Sequence, residues 1–156
     1  LKKSANLLKL LARERRFKLD SPATYVAFDK KIRSLAVTVC TYLAKEIKAG
    51  RNVIGLGAST KGNVLLQLFG INKTMLPYIS EIQIAKIGLR TLGTDIELIS
   101  DDAANKLNPS VKLVLPWYFK KEIVKREKPY LAQGGMLLFP MPYAHIVSKK
   151  GEIKLK

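Results

Sequence analysis

The sequence is poor in the residues that build disulfides and metal centres. It contains one cysteine, Cys40, and one histidine, His145. An internal disulfide, a cysteine zinc site and a multi-histidine centre each need more than that. No stretch approaches the 18 consecutive apolar residues of a membrane-spanning helix. We therefore expect no metal site and no membrane segment, and we expect the protein to be cytoplasmic.

Acidic residues are also scarce. There are 12 Asp and Glu against 28 Lys and Arg, which gives a net charge of +16. Residues 1–20, 116–130 and 145–156 carry net charges of +5, +3 and +3. Such a chain attracts anions, and nucleic acid is the obvious candidate. A lysine-rich composition on solvated faces explains the same numbers, since no known nucleic-acid-binding motif is present.

What the chain does have is enough apolar material for one folded domain. It is 156 residues long and 47% hydrophobic, which suffices for a core but not for two comfortable domains. The sequence begins with Leu1, and residues 1–20 form a basic helical pattern that differs from a signal peptide. We expect the chain to be part of a longer protein.

The first fifty residues predict two amphipathic helices. In residues 3–17 the leucines cluster on one side, with Lys and Arg elsewhere. Ser21 and Pro22 then provide an N-cap and a first helical residue, and the second helix ends at Gly50. Its apolar residues recur every three or four positions: Tyr25, Phe28, Ile32, Leu35, Val39, Leu43 and Ile47. We expect residues 1–50 to pack on the following domain or to bridge to a neighbour.

From residue 52 onward, short apolar strands alternate with helices. Strands are predicted at 52–56, 77–82, 96–99, 111–115 and 136–139, with extended pieces at 145–147 and 153–155. Helices are predicted at 63–69, 100–107 and 117–131. Continuously apolar strands are typical of a sheet that is covered on both faces. The pattern predicts an α/β fold over residues 51–156: a Rossmann-like three-layer domain with a mostly parallel sheet, preceded by the two N-terminal helices.

A glycine-rich turn joins the first strand to the first helix of this domain. Backbone N–H groups at a helix N-terminus attract anions, Ser59 and Thr60 add hydroxyls, and Lys61 adds a charge. The turn is not a Walker A loop, because Gly62 follows Lys61, and its third glycine comes two places late for a dinucleotide motif. It predicts a phosphate-binding loop, with a tight turn that binds nothing as the alternative.

Other polar residues support less specific predictions. Glu81 ends the predicted second strand, where dinucleotide-binding folds hold ribose hydroxyls, although an exposed strand-end carboxylate is the alternative. Glu122 and Arg126 are spaced as an i,i+4 pair on a solvated helix face. His145 lies in a terminal strand away from the turn, so we interpret it as a strand residue and not as a base.

Residues 55–67, GLGASTKGNVLLQ, closely resemble the GxGASxKGNxLLQ signature of one family. It is the C-terminal domain of S-adenosylmethionine-dependent sugar C-methyltransferases. Residues 115–119 resemble the family's LPWxF segment, and residues 131–142 resemble its closing GGxxxxPxP strand. The likeness covers roughly residues 10–147. Gln83 and Ile84 stand where the family has Asn-Pro, Leu92 replaces a second proline, and Leu89 also departs from the pattern, so the loop lacks two residues that fix backbone angles.

The resemblance implies a division of labour within a longer enzyme. Family members combine a zinc-binding module, a central methyltransferase domain and this C-terminal domain. The zinc cysteines, the adenosylmethionine-binding motif and the catalytic His and Glu of the central domain are absent here. The resemblance therefore implies a chain that is incomplete as a catalyst, with no catalytic residue, metal or cofactor of its own. It would bind a nucleoside-diphosphate sugar, while S-adenosylmethionine would sit on a catalytic domain that is fused or separate.

On this resemblance, the diphosphate would contact Ser59, Thr60, Lys61 and Asn63, with Lys86 as a second cation. Glu81 would hold sugar or ribose hydroxyls. Trp117 would line the base pocket, and Phe119 could do so too, although core packing is the favoured role for Phe119. The full set of candidate binding residues is Gly57, Ala58, Ser59, Thr60, Lys61, Gly62, Asn63, Glu81, Lys86 and Trp117. The alternative functions are a basic nucleic-acid-binding module and a structural domain that only docks a catalytic subunit.

Overall fold

The computed structural model describes residues 4–155. Residues 1–3 and 156, which belong to the basic stretches 1–20 and 145–156, lie outside the described residues. The backbone divides into two compact units, Leu1–Ser34 and Leu35–Lys156, with the division inside the second helix. No helix of residues 4–155 is both long enough and apolar enough to cross a membrane.

The first unit is a helical pair, as the sequence predicts. Helix α1 spans Ala5–Arg16, and α2 spans Pro22–Lys48 and continues into the second unit. The Ser4 hydroxyl caps α1 by accepting from the Leu7 N–H at 3.3 Å. At the start of α2, the Thr24 and Tyr25 hydroxyls donate to the carbonyls of Lys18 and Leu19 in the connecting turn, at 2.8 and 2.7 Å. Local side-chain bonds therefore fix the angle at which the chain enters α2.

The second unit is built on a seven-stranded sheet. Its strands are β1 Val53–Leu56, β2 Tyr78–Glu81, β3 Glu97–Ser100, β4 Val111–Val114, β5 Met136–Phe139, β6 His145–Ser148 and β7 Gly151–Lys154. Its remaining helices are α3 Thr60–Phe69, α4 Asp101–Lys106, α5 Lys120–Arg126 and α6 Lys128–Ala132. The strand order is β3-β2-β1-β4-β5-β6-β7. The first five strands are parallel and the last two antiparallel, which confirms the predicted Rossmann-like α/β fold.

The direction of the chain reverses beside β1. From β1 the chain moves through α3 to β2 on one side, and later returns through α4 to β4 on the other. In register, Val53 pairs with Val111, and Gly55 pairs with Ile79. Right-handed crossovers on the two sides of β1 place their helices on opposite faces, which gives the three layers. Open α/β sheets bind ligands at this switch point, beyond the carboxyl ends of the strands.

The C-terminal half of α2 belongs to the second unit and its core. Val39 and Leu43 are fully buried. The Tyr42 hydroxyl donates to the Met136 sulfur at 3.6 Å, and burial is the main reason that its pKa rises to about 12. The Cys40 thiol donates to the Phe69 carbonyl at 3.4 Å, and burial raises its pKa as well. Cys40 is therefore a half-buried packing residue.

The basic segment 117–131 differs from the single helix that its sequence predicts. The structure has a 3₁₀ turn at Trp117–Phe119, then α5, then α6 after a break at Glu127. Pro129 lies in the first turn of α6, where its missing N–H costs nothing. In a continuous helix it would remove a hydrogen bond and crowd the preceding turn. The break leaves Glu127 buried at the joint.

Candidate functional site

The glycine-rich turn lies tightly against the residues that follow β4. Gly57 has a φ of +76°, and a Cβ there would lie 2.9 Å from Pro116 Cγ. A Cβ on Gly62 would lie 2.6 Å from the Cβ of Leu115. Larger residues at either position would push α3 away from the end of β4. These glycines therefore let the start of α3 approach the switch point closely.

Helix α3 begins at Thr60, three residues before the predicted start. Ser59 is its N-cap, and its hydroxyl accepts from the Gly62 N–H at 3.0 Å. The Asn63 N–H donates to the Ser59 carbonyl at 2.8 Å. The backbone N–H groups of Ser59, Thr60 and Lys61 make no hydrogen bond to any residue in 4–155. Together with the positive end of the helix dipole, these free donors favour an anion at this point.

Glu81 holds this turn to β2. The carboxylate is 5% exposed and accepts three backbone hydrogen bonds: from Ala58 at 2.9 Å, from Ile82 at 2.8 Å and from Gln83 at 2.9 Å. The Gly57 N–H in turn donates to the Ser80 carbonyl at 2.8 Å. Two of the N–H groups that the sequence predicts to face a phosphate therefore face β2. Glu81 is therefore not the exposed carboxylate of the alternative prediction. Its oxygens are already hydrogen-bonded to the backbone and are not free to hold a ribose.

Lys86 approaches the same turn from the loop after β2. Its Nζ donates to the Ala58 carbonyl at 3.0 Å and lies 3.9 Å from a Glu81 carboxylate oxygen. The side chain is 40% exposed, so its remaining N–H groups can still reach a ligand. The loop lacks the family's two prolines but is held by backbone bonds, including Gly88 N–H to Leu98 at 2.8 Å and Leu98 N–H to Leu89 at 2.9 Å.

Two clefts open on either side of Ala58, Ser59 and Lys86. The first cleft has a volume of about 390 Å³ and lies at the switch point. It is lined by the turn, by the end of β2 and by the segment after β4, including Gly57, Ala58, Ser59, Glu81, Lys86, Tyr118, Phe119, Glu122 and Arg126. The second cleft, about 330 Å³, lies toward the 86–92 loop and is lined in part by Thr60 and Asn63. The Asn63 Oδ1 atom is buried and has no partner among residues 4–155.

The aromatic candidates do not lie where the sequence predicts. Trp117 packs against the core cluster that contains Leu56, Val114 and Phe139, and it lines neither cleft. Phe119, for which core packing is the favoured prediction, is instead 53% exposed and lines the first cleft beside Tyr118. Lys61 is exposed, with its Nζ 4.6 Å from the centroid of the Tyr118 ring. Lys61 itself lines neither cleft, but this cation–π contact places its ammonium over Tyr118, which lines the first cleft.

The signature at residues 55–67 thus forms one wall of a cleft at the expected edge of the sheet. A family model described as the C-methyltransferase C-terminal domain matches residues 1–142. The chain belongs to this family. It is also 27% identical over 144 residues to the C-methyltransferase NovU of Streptomyces niveus. The match covers 92% of this chain and 34% of that protein, so the chain spans about a third of its relative's length.

In this C-methyltransferase C-terminal domain, Glu122 and Arg126 are both exposed, as predicted, but the predicted pairing between them is wrong. Arg126 Nε donates instead to Glu127 Oε1 at 2.9 Å, and both Glu122 and Arg126 line the first cleft. The overlooked signal is Lys112, a lysine within an otherwise apolar buried strand. A buried lysine requires a buried partner, and its partner is Glu127, next to Arg126.

His145 is a strand residue of the domain, as interpreted from the sequence. It is 1% exposed, its Nδ1 lies 2.8 Å from the Tyr143 carbonyl, and its ring stacks on Phe139 with centroids 5.1 Å apart. It lines neither cleft. Asp101 and Asp102 follow the N-cap Ser100 in the first turn of α4, where carboxylates interact favourably with the positive end of the helix dipole.

Proposed function

We propose that this chain is the nucleotide-sugar-binding domain of an S-adenosylmethionine-dependent sugar C-methyltransferase. It holds the diphosphate of a nucleoside-diphosphate sugar at the first cleft and presents the sugar to a catalytic domain, fused or separate. The observation that carries the proposal is the start of α3. There three backbone N–H groups, on Ser59, Thr60 and Lys61, lack partners within residues 4–155 beside a cleft at the switch point.

The side chains around these donors suit the same ligand. Lys61 lies over the ring of Tyr118, which lines the first cleft, and Lys86 lines both clefts with N–H groups to spare. Ser59 Oγ accepts from Gly62 but keeps its own O–H to donate. Thr60 and Asn63 face the second cleft, so they would contact a ligand that extends past Ser59. A phosphate bound here gains charge-assisted hydrogen bonds from backbone and side chains together.

In this proposal Glu81 and the glycines position the turn and do not bind hydroxyls themselves. Because the Glu81 carboxylate already accepts three N–H groups, the residues here do not fit an adenosyl ribose held by a free acid at the end of β2. We therefore place the methyl donor and the base that removes the sugar proton on the other part of the enzyme. Phosphate-binding energy from this domain would keep the sugar in register for their chemistry.

Calorimetric titration tests this function directly. We expect saturable, micromolar binding of at least one of uridine, thymidine and guanosine diphosphate. Lys61→Ala should weaken it about tenfold. Lys106→Ala is the matched control, because it removes the same charge from an exposed site outside both clefts. Repeating the titrations at high salt distinguishes diphosphate binding at this site from attraction of anions by the net charge alone.

Three outcomes would contradict the proposal. Equal loss in both variants together with a steep salt dependence would mean that net charge alone attracts anions, as a nucleic-acid-binding module requires. No binding of any diphosphate would leave a domain that only docks a catalytic subunit. Binding of S-adenosylmethionine by this chain would overturn the assignment of the methyl donor to another domain.

A further inference from the structure

The first cleft is lined by α5 as well as by the signature, and α5 contributes an arginine whose guanidinium is anchored along one edge. Arg126 ends α5 and is 40% exposed. Its Nε donates to Glu127 Oε1 at 2.9 Å, whereas its Nη1 and Nη2 make no hydrogen bond within residues 4–155. A guanidinium anchored through Nε still presents the parallel N–H groups of its Nη1–Nη2 edge. That edge matches two oxygens of a phosphate.

The anchor continues into the core as a chain of buried charges. Glu127 Oε2 accepts from Lys112 Nζ at 2.8 Å, with these side chains 5% and 1% exposed. Lys112 Nζ also donates to Asn105 Oδ1 at 3.1 Å and lies 4.4 Å from the Tyr130 ring centroid. Lys112 and Glu127 cancel each other, so the remaining positive charge of the network is on Arg126, at the cleft.

We propose that Arg126 binds a phosphate oxygen of the nucleotide sugar, and that Lys112 and Glu127 are positioning residues that hold its guanidinium at the first cleft. The inference rests on the proposed function and adds a second wall to the site. A diphosphate carries two charged groups, and the signature wall supplies donors from one side only. Arg126 supplies charge from the other side, on a helix whose sequence shows no binding motif.

Glu122 indicates where along α5 a phosphate would no longer bind favourably. It lines the same wall four residues before Arg126, about 6 Å along the helix axis. A carboxylate repels phosphate but accepts hydrogen bonds from hydroxyl groups. The diphosphate of a nucleotide sugar is flanked by hydroxyl-bearing sugars on both sides, so α5 offers a cation for the phosphate and an acceptor for its neighbour.

The test compares Arg126→Ala with Lys125→Ala in the same chain. Lys125 is exposed on the same helix and lines neither cleft, so its variant removes an equal charge from the neighbouring position. The probes are uridine, thymidine and guanosine diphosphates and the matching nucleosides, titrated at physiological salt. Arg126→Ala should weaken diphosphate binding tenfold or more and leave nucleoside binding unchanged, while the thermal midpoint falls because buried Glu127 loses one of its two side-chain donors. Arg126→Lys should recover part of the loss, and Lys125→Ala should stay within about twofold.

A double-mutant cycle tests the positioning role. The pair Lys112→Met with Glu127→Leu leaves no buried charge behind, so the protein should stay folded while Arg126 loses its anchor. This pair should weaken diphosphate binding severalfold when Arg126 is present and have no further effect when residue 126 is alanine. Equal effects in both backgrounds would overturn the positioning role.

The two proposals fail in different ways. If Lys61→Ala weakens binding about tenfold while Arg126→Ala behaves like Lys125→Ala, the diphosphate site stands and the Arg126 contact is wrong. If Arg126→Ala weakens nucleoside and diphosphate equally, Arg126 shapes the cleft and does not bind phosphate. If the unaltered chain binds no diphosphate, the proposed function and this inference fall together.

Discussion

Two buried glutamates flank the first cleft, and the structure neutralises them in opposite ways. Glu81, on the signature side, accepts three backbone N–H groups. Glu127, on the α5 side, accepts from the side chains of Lys112 and Arg126. Each is 5% exposed. One wall is therefore held by the backbone, and the other depends on the identity of three charged side chains.

The difference sets how each wall responds to substitution. Partial charges on N–H groups stay in place whatever the neighbouring side chains are, so the signature wall loses only what Glu81 itself contributes. On the α5 side, removing one charge leaves another unpaired in the interior, which is far more costly. The expected effects of the following substitutions run from that larger cost to the smallest.

Glu127→Leu should have the largest effect. It leaves the Lys112 ammonium buried without its counter-charge, which costs about 3–5 kcal/mol of the free energy of unfolding. Urea unfolding measures this loss. Adding Lys112→Met removes the stranded charge, so the double variant should regain most of the stability. A single variant within about 1 kcal/mol of the parent would show that the Lys112–Glu127 pair is not the buried, dry contact described here.

Glu81→Gln should have an intermediate effect. A glutamine presents one carbonyl oxygen, and its NH₂ group would face a backbone N–H, so we expect a loss of about 2–3 kcal/mol. Amide hydrogen exchange should also quicken at residues 57–62 as the turn loosens from β2. Glu97→Gln, at a half-buried carboxylate on the neighbouring strand that approaches Arg90 only at 3.9 Å, is the control and should stay within about 0.5 kcal/mol. Comparable losses in both variants would contradict the special role of Glu81.

The contrast between the walls also explains what could be predicted from the sequence. The fold follows from local signals: short apolar strands, the Ser21–Pro22 start of the second helix and the glycine that ends it. The signature wall is one continuous segment, so its residues could be found together. The α5 wall joins Lys112, Glu127 and Arg126 across a strand, a helix break and a helix end. Their contact depends on strand register and on where Pro129 interrupts the helix, neither of which the periodic pattern shows.

Trp117 and Phe119 also could not be placed from the sequence, although they are only two residues apart. Both follow β4 within five residues, and apolar character alone cannot tell which faces the core. The 3₁₀ turn at Trp117–Phe119 rotates successive side chains by about a third of a turn, so Trp117 faces the core and Phe119 faces the cleft.

The smallest effect should come from a third glutamate, which is exposed. Glu152 on β7 accepts from Lys120 Nζ at 2.7 Å and from the Tyr143 hydroxyl at 2.9 Å, and it is 39% exposed. The hydrogen bond from Lys120, followed by that from Tyr143, lowers the pKa of Glu152. A folded-state pKa below the unfolded value of about 4.5 means that the ionised form stabilises the fold. Its contribution is therefore present above that pH and is lost as the pH falls through the folded pKa.

Urea unfolding of the parent and of Glu152→Gln across pH 2–7 measures this contribution. Because water screens an exposed pair, the difference should be at most about 1 kcal/mol near pH 7, should vanish in acid, and should shrink in 1 M salt. The effect of Glu127→Leu should hardly change with salt, since Lys112 and Glu127 are out of reach of ions. If both effects faded equally with salt, the distinction between buried and exposed charge pairs at the two ends of α5 would be lost. If only the Glu152 effect fades, α5 is held at its first residue by a weak solvated pair, and the residue that follows its last is held by a buried one.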